Sequence, residues 1–358
     1  MDIPSPEESG ITPTMPTDPA APRRSRASGR VTLNEVARAA GVSPITVSRA
    51  LRGERSVAAD LVDRVRDAAL RLGYVPDPAA RALASSRSSH VAVLIPLLTN
   101  ALFVDLLEAV HRTLLPEGFQ TLIGVTHYDP AEEEELLRSY MAHRPAGLIV
   151  TGFDRTDNAR RLIAGSGVPC VHVMETSSVP ELQCVGFSQA DAGHAITSHL
   201  LQRGRRRIAF VGAQLDPRVL QRAEGYRRCL RGAGIHDPAL ELFDPEPSSL
   251  ALGGRMFETL LRLHPDIDAV FFCNDDLAQG GLLTALRLGV KVPQQVAVAG
   301  FNDLTGSAEM LPPLTTVHTP RTEIGERAAQ MLLRLMRKEP VPEPHLDLGY
   351  TLVVRQST

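Results

Sequence analysis

The stretch "SPITVSRALRG", Ser43 to Gly53, sets polar and apolar side chains together in a way that invites chemistry. It reads as a short helix. Ser43 is placed to cap it, and Pro44 stands in the first turn, where a missing N–H leaves no bond unmade. Hydroxyls stand at Ser43, Thr46 and Ser48, and Arg49 and Arg52 carry charged forks near the helix end. Pro44 and Ile45 are apolar at the tip, where a helix is most exposed. Either this tip is buried, or it touches something other than water. Further along, six apolar runs each end in polar residues: "PLLTN", "TGFD", "METS", "GAQLD", "CNDD" and "FNDL". Amides, hydroxyls and carboxylates at strand ends are groups that hold a small polar ligand.

The elements that must position these residues are legible in the spacing. Residues 31–76 hold three short helix patterns. Thr32 and Glu35 form a capping-box pair, and Leu33, Val36, Ala37 and Ala40 make one apolar stripe that stops at Gly41. Val47, Ala50 and Leu51 are the inner face of the second helix. Val65, Ala68, Ala69 and Leu72 are that of the third, which ends at Gly73. Two helices joined by a glycine-containing turn and completed by a third make a helix-turn-helix arrangement. Residues 77–89 have helix propensity but little apolar face, so a helix there needs a partner to form. From residue 90 onward, strands at 91–96, 147–152, 170–174, 207–212, 269–274 and 296–301 alternate with helical stretches. Repeated βαβ units mean parallel sheets with helices on both faces, and the repeat count suits two similar lobes.

The 358 residues allow two or three domains, and 43% apolar content supports a sizeable core. Residues 1–22 carry four acids and no Lys or Arg, whereas residues 23–89 carry 13 Arg, no Lys and 6 acids. The remainder carries a net charge of −6. A basic segment on an acidic body suggests a nucleic-acid-binding head. Residues 1–30 are too polar to bury a core and are expected to be a disordered tail, in which Arg23, Arg24 and Arg26 can touch phosphates or remain solvated. Four scattered cysteines without a CxxC pair argue against a disulfide framework and a structural zinc site. No apolar leader opens the chain and no long apolar run crosses a membrane, so the cytosol is the expected compartment.

Several motifs in fixed order carry a family resemblance. "VTLNEVARAAGVSPITVSRALRG" followed by "LGYVPDPAARALAS" resembles the DNA-binding head of the lactose-repressor (LacI/GalR) family. "CNDDLAQGGL", "VAGFND" and "LTTVHTPRTEIG" resemble that family's effector-binding core. The likeness covers about residues 31 to 355. Within the family, "IPLLTNALFVDLLEAV", "GAQLDPRVLQRAEGY" and "LDLGYTL" look closest to the gluconate-utilisation repressors. The expected architecture is an all-α helix-turn-helix head joined by a hinge helix to an α/β core of two Rossmann-like lobes, like a periplasmic binding protein. The expected boundaries are a tail at 1–30, a head at 31–76, a hinge helix and linker at 77–89, and a core at 90–358. The N-lobe takes about 90–189 and 319–347, and the C-lobe about 190–318 and 348–358.

The resemblance implies roles residue by residue. The second helix lies in the DNA major groove, with Pro44, Ile45 and Arg49 towards base edges. Arg49 can pair with guanine, and the two apolar residues can touch a thymine methyl. Thr32, Ser43, Thr46 and Ser48 suit phosphates, or else serve only as caps. Leu83 matches the leucine that wedges into the minor groove, and Ala80 the small residue that lets paired hinge helices approach. Ala58 stands where the family usually has a capping Ser or Thr, a departure costing about 1 kcal/mol. The effector pocket is expected at Thr99, Asn100, Phe103, Glu175, Arg218, Arg222, Asn274, Asn302 and Thr319. An arginine, two amides and hydroxyls suit a polyhydroxylated acid, with Arg222 the first choice for a two-pronged carboxylate bond and Arg218 the second. Asn274 can cap the helix that follows, contact ligand, or both.

The expected function is a ligand-responsive transcription factor, a repressor released by a sugar acid such as gluconate. It would act as a homodimer on a near-palindromic operator, in the cytoplasm and on the nucleoid when DNA-bound. A neutral sugar or a purine co-repressor is the alternative within the family. An enzyme is disfavoured, because no glycine fingerprint follows an early strand and no P-loop occurs. An exported sugar-binding protein would share the core but would need an export signal and no DNA head. "EEEELL" (132–137) reads as a solvated helix face. No cofactor or metal is expected.

Overall fold

The computed structural model describes residues 31–51, 57–75, 88–99 and 101–358. These form two compact units, one on each side of the 81–82 boundary. The N-terminal tail, the 77–86 hinge with Ala80 and Leu83, Arg52, and Asn100 lie outside the described residues.

The first unit is three helices: α1 (Leu33–Ala40), α2 (Pro44–Leu51) and α3 (Ala59–Leu72). The expected stripes converge. Val36, Ala37, Ala40, Val47, Ala50, Val65, Ala68 and Ala69 form one small buried core, with Leu33, Leu51 and Leu72 packed against it. The Glu35 carboxylate accepts from the Thr32 amide at 2.6 Å and from its hydroxyl at 2.9 Å, closing the start of α1. Arg64 of α3 donates to the Ala40 carbonyl at 2.6 Å, so the end of α1 is satisfied from another helix. Ala58 stands at the start of α3 and makes no side-chain cap.

The second unit has two parallel sheets. The larger has the order β11-β5-β4-β3-β1-β2, from β1 (His90–Ile95), β2 (Gln120–Val125), β3 (Gly147–Thr151), β4 (Cys170–Val173), β5 (Cys184–Gly186) and β11 (His345–Asp347). The smaller has the order β7-β6-β8-β9, from β6 (Ile208–Ala213), β7 (Glu241–Asp244), β8 (Ala269–Phe272) and β9 (Ala297–Ala299). A short antiparallel pair joins β10 (Thr316–His318) to β12 (Thr351–Val353). The lobes are therefore unequal, six strands against four. The helices between strands are α4 (Ala101–Leu114), α5 (Pro130–Ala142), α6 (Asp157–Ser166), α7 (Gln189–Gln202), α8 (Pro217–Gly232), α9 (Leu250–Leu263), α10 (Asp275–Leu288) and α11 (Arg321–Arg337). The chain passes between the lobes after β5, between β10 and α11, and between β11 and β12. The strands named from the sequence are all present, with ends moved by a residue or two. β2, β5, β7, β10, β11 and β12 add to them. β2 is a half-exposed edge strand and the rest have three or four residues, too short for a hydrophobic period to show.

Among the described residues, no helix is long and apolar enough to cross a membrane, and no group of three His, Cys, Asp or Glu could hold a metal. The four cysteines are unpaired.

Candidate functional site

The head presents one face of α2. Val47 and Ala50 are fully buried, whereas Pro44, Ile45 and Arg49 are exposed, Ile45 to 65%. A 100° step per residue puts 45, 48 and 49 on the side opposite 47, 50 and 51. The apolar tip is therefore not core. Ser43 caps the helix, its hydroxyl accepting from the Thr46 amide at 3.1 Å and meeting the Thr46 hydroxyl at 2.8 Å. Ser48 and Thr32 are half-exposed.

The second site is the crevice beyond the carboxyl ends of both sheets, where a doubly wound fold leaves room for ligands. From the N-lobe come Asp154 after β3 and Glu175 after β4. From the C-lobe come Asp216, Arg218, Gln221 and Arg222 at the start of α8, Ser248 before α9, Asn274 after β8 and Asn302 after β9. Thr319 sits at the crossover into α11. Backbone strain gathers here. Met174, Gln214, Leu215, Asn302 and Asp303 all have φ in the left-handed region, Asn302 at 104°. Such residues persist only where surroundings over-determine them, and they cluster at functional sites.

The two candidate arginines differ in their surroundings. Arg218 lies 3.3 Å from Asp154, 3.3 Å from Glu175 and 3.0 Å from Asp216, all three contacts being ion pairs of a side chain only 6% exposed. Burial works against its charge, but Asp216, Glu175 and Asp154 outweigh burial and hold the guanidinium above its ordinary pKa. Gln221 donates to the other Glu175 oxygen at 2.6 Å. Arg218 thus joins α8 to two loops of the opposite lobe and has no charge left for a ligand acid. As the second choice for the carboxylate bond, it fits a cross-cleft tie better than a ligand anchor. Gly152 makes this possible: a Cβ there would lie 2.3 Å from Arg218 Nη1 and 2.5 Å from Glu175 Oε2, at a φ of +64°.

Arg222 is equally buried but meets only neutral oxygens. Its Nε donates to Gln189 Oε1 at 2.8 Å, and its Nη1 to the Cys273 carbonyl at 2.7 Å and to Asn274 Oδ1 at 2.9 Å. The guanidinium stacks on Phe301, 3.9 Å from the ring centroid. Burial pulls it below its ordinary pKa, with Asp216 pulling the other way. Nη2 makes no hydrogen bond among the described residues. One nitrogen is open to a ligand, so the expected two-pronged bond narrows to one prong unless Gln189 or Asn274 yields.

The remaining candidates are placed as follows. Asn274 stands at the start of α10 but makes no cap; its side chain binds Arg222, accepts from Asn302 Nδ2 at 3.0 Å and donates to Ser248 Oγ at 3.3 Å. Asn302 Oδ1 and Thr319 Oγ1 are buried and have no hydrogen-bond partner among the described residues. Buried polar atoms are nearly always satisfied, so two orphans at predicted ligand residues mark places a ligand or water would occupy. Glu175 is buried and committed to Arg218 and Gln221. Phe103 is packed in the apolar core, 3% exposed, and offers backing rather than a contact surface. Thr99 is exposed. Asp154, Asp216, Gln189, Gln221 and Ser248 were not among the candidates. "TGFD" and "GAQLD" carried a signal for the two acids, but Gln189 and Gln221 lie in the first turns of α7 and α8 with nothing local to distinguish them.

Comparisons with known proteins agree with the two-unit fold. A family model for bacterial regulatory proteins of the lacI family matches residues 32–77, and one for the periplasmic binding protein-like domain matches residues 197–358. The chain is 58% identical over 336 residues to the HTH-type transcriptional regulator GntR of Pseudomonas aeruginosa, covering 94% of this chain and 98% of that one. Its fold superposes on a LacI-family transcriptional regulator from Silicibacter pomeroyi with a TM-score of 0.85 and 35% identity, covering 91% of this chain and 99% of the other. It is also similar to the transcription regulator GntR from Chromobacterium violaceum, with a TM-score of 0.74 and 47% identity over 75% of this chain and 98% of that one.

Proposed function

The chain belongs to the lacI family of bacterial regulatory proteins and is a ligand-responsive DNA-binding transcriptional repressor, not an enzyme; from that premise we propose that a sugar acid such as gluconate releases it from its operator. The observation that carries the effector class is Arg222. A buried guanidinium surrounded by neutral oxygens has positive charge unmatched within hydrogen-bond range, and a ligand carboxylate supplies the match. Within ion-pair distance Asp154, Glu175 and Asp216 meet Arg218 and not Arg222, so none of these acids already holds the Arg222 charge. The orphan oxygens of Asn302 and Thr319 accept from sugar hydroxyls, and Thr319 also donates. That a 58%-identical relative bears the name GntR supports the same class.

The DNA side of the proposal uses the exposed face of α2. Arg49 reads guanine, Pro44 and Ile45 touch a thymine methyl, and Thr32, Ser43, Thr46 and Ser48 take phosphates. We assign residues 1–30 as tail, 31–76 as head, 77–89 as hinge and 90–358 as core. In the hinge, Leu83 wedges the minor groove and Ala80 lets two hinge helices meet. Two copies act together on a near-palindromic operator, in the cytoplasm and on the nucleoid when bound. Effector binding rotates the lobe beside the hinge, parts the paired hinge helices and weakens DNA binding by a coupling of about 1–3 kcal/mol. Operator weakens effector binding by the same factor.

Calorimetric titration with gluconate, 2-ketogluconate, glucose and guanine tests the effector class. Heat from the sugar acids alone, with release of a selected operator duplex in a gel-shift assay, is the expected result. Binding of guanine alone, or of glucose as tightly as gluconate, removes the sugar-acid reading and leaves the DNA-binding role in place.

A further inference from the structure

We propose that Arg321 is a positioning residue for the effector cleft, acting through Asn302 and tying that residue to the first helix of the N-lobe. The inference rests on the reading that Asn302 lines the cleft. Arg321 opens α11 and is 9% exposed. All three of its nitrogens are engaged. Nε donates to Asp105 Oδ2 on α4 at 2.6 Å, Nη1 to the Asn302 carbonyl at 2.7 Å, and Nη2 to the Asp303 carbonyl at 3.3 Å.

The two carbonyls belong to consecutive left-handed residues, Asn302 at φ 104° and Asp303 at φ 51°. A non-glycine residue held there is strained and relaxes when its restraints are removed. Asp303 is also restrained through its side chain, by Arg355 at 2.7 Å and His318 at 3.1 Å. Among the described residues the Asn302 side chain is held by Asn274, and its buried Oδ1 has no partner. The carbonyl grip of Arg321 therefore sets where that oxygen stands.

The same guanidinium ends on Asp105, one turn along the helix that begins beside Thr99. This anchor is firm because α11 rides hard against α4. A Cβ at Gly325 would lie 2.6 Å from the Leu106 carbonyl and 2.9 Å from the Ala109 methyl, so nothing larger than glycine lets the helices approach so closely. On either side of Asp105, Leu102, Phe103, Leu106 and Leu107 are in the apolar core. A ligand that moves Asn302 pulls on α4 through a short, half-buried, charge-assisted link, and packed cores respond to such pulls as units.

Three variants of the full chain test this: Arg321→Ala, Arg321→Lys and Asp105→Asn. Without ligand, amide hydrogen exchange is followed at Asn302, whose N–H donates to the Val317 carbonyl, and at Leu304, whose N–H donates to Asp275. Asp105→Asn removes no contact from that loop, yet exchange there should quicken about fivefold, and more in Arg321→Ala. With gluconate as probe, Arg321→Ala should weaken calorimetric affinity about tenfold, with part recovered by Arg321→Lys. Asp105→Asn should keep gluconate affinity within about threefold but need about fivefold more gluconate to release operator, a split that lost packing alone does not produce. Unchanged exchange at Asn302 and Leu304 in both Asp105→Asn and Arg321→Ala overturns the proposal. If the unaltered protein binds no gluconate, the sugar-acid reading falls, and the exchange measurement still decides the role of Arg321.

Discussion

Arg222 and Asn274 meet at 2.9 Å, guanidinium to side-chain oxygen, at a position where Asn274 would ordinarily cap α10. The asparagine gives up the cap to hold the arginine, and Asn302 donates to the same oxygen at 3.0 Å. A helix start has been left without its usual side-chain acceptor so that three polar side chains from three elements can converge. Capping residues contribute about 1 kcal/mol, so the convergence outweighs a sizeable local preference.

Replacing Arg222 by Ala should remove that convergence and the positive charge together. A hydrogen bond to a charged group contributes about 1.5–3 kcal/mol, so gluconate affinity should fall about 10- to 100-fold. Operator affinity without effector should stay within about twofold, because the substitution lies outside the DNA head. Titration calorimetry and a gel-shift assay measure the two quantities. Equal gluconate affinity in the variant would exclude Arg222 as the carboxylate partner.

A pH signature should come from His172, on the buried face of β4. Burial, then the neighbouring Arg155 guanidinium, pushes its imidazole down to about 4 from 6.5. Its Nδ1 stands 3.1 Å from Arg155 Nη1 and 3.1 Å from the Gly152 carbonyl, so the ring sits beside a fixed positive charge that disfavours a second one. The unfolded chain takes up this proton near pH 6.5 while the folded chain refuses it until about pH 4. The stabilisation is therefore complete above 6.5 and is lost as pH falls through that window, by about 3 kcal/mol in all. Asp275 has the opposite sign: burial raises its carboxyl to about 6, so its contribution is lost as pH rises. Comparing urea unfolding of the protein and His172→Gln at pH 7 and pH 5 isolates the histidine. The variant should lose less stability on acidification, and parallel losses would sink the assignment.

Legibility followed the range of the interactions involved. The head was readable nearly whole, because caps, stripes and stops are local. The apolar faces of α1, α2 and α3 fell where a 3.6-residue period puts them. The cleft was readable as a set of strand ends, and the side chains of Arg222, Asn274 and Asn302 are hydrogen-bonded to one another. Their pairing was not readable. Arg218 and Arg222 stand one helical turn apart on α8, yet one meets three carboxylates and the other none within ion-pair distance. Asp154 and Glu175 reach Arg218 from loops 64 and 43 residues away, and no spacing rule on α8 reports them.

The missing cap at Ala58 offers a gain in stability. Its backbone is already extended, φ −60° and ψ 144°, as a capping residue requires, and its side chain is exposed. Ala58→Ser should therefore stabilise α3 by about 1 kcal/mol without rearrangement. Amide exchange over residues 59–72 in the full chain should slow about fivefold, with the α/β core unchanged. No change in protection would mean that the start of α3 is already satisfied by other donors and acceptors.

The exposed face of α2 makes a base-specific prediction that differs from a purely electrostatic one. Arg49 shares that face with Ile45, while Val47 and Ala50 hold the other against the core. If Arg49 pairs with a guanine, Arg49→Ala should cost about 1–3 kcal/mol on the preferred operator and relax the preference at one base pair in each half-site. Affinity for duplexes that already carry another base there should hardly change. If Arg49 instead serves a phosphate, binding should weaken evenly across all sequences, and the slope of log affinity against log salt should shrink by about one. Selection from a random duplex pool, followed by titrations at two salt concentrations, separates the outcomes. An unchanged selection profile with a reduced salt slope would move Arg49 from reader to backbone contact, leaving Pro44 and Ile45 as the base-facing residues of the helix.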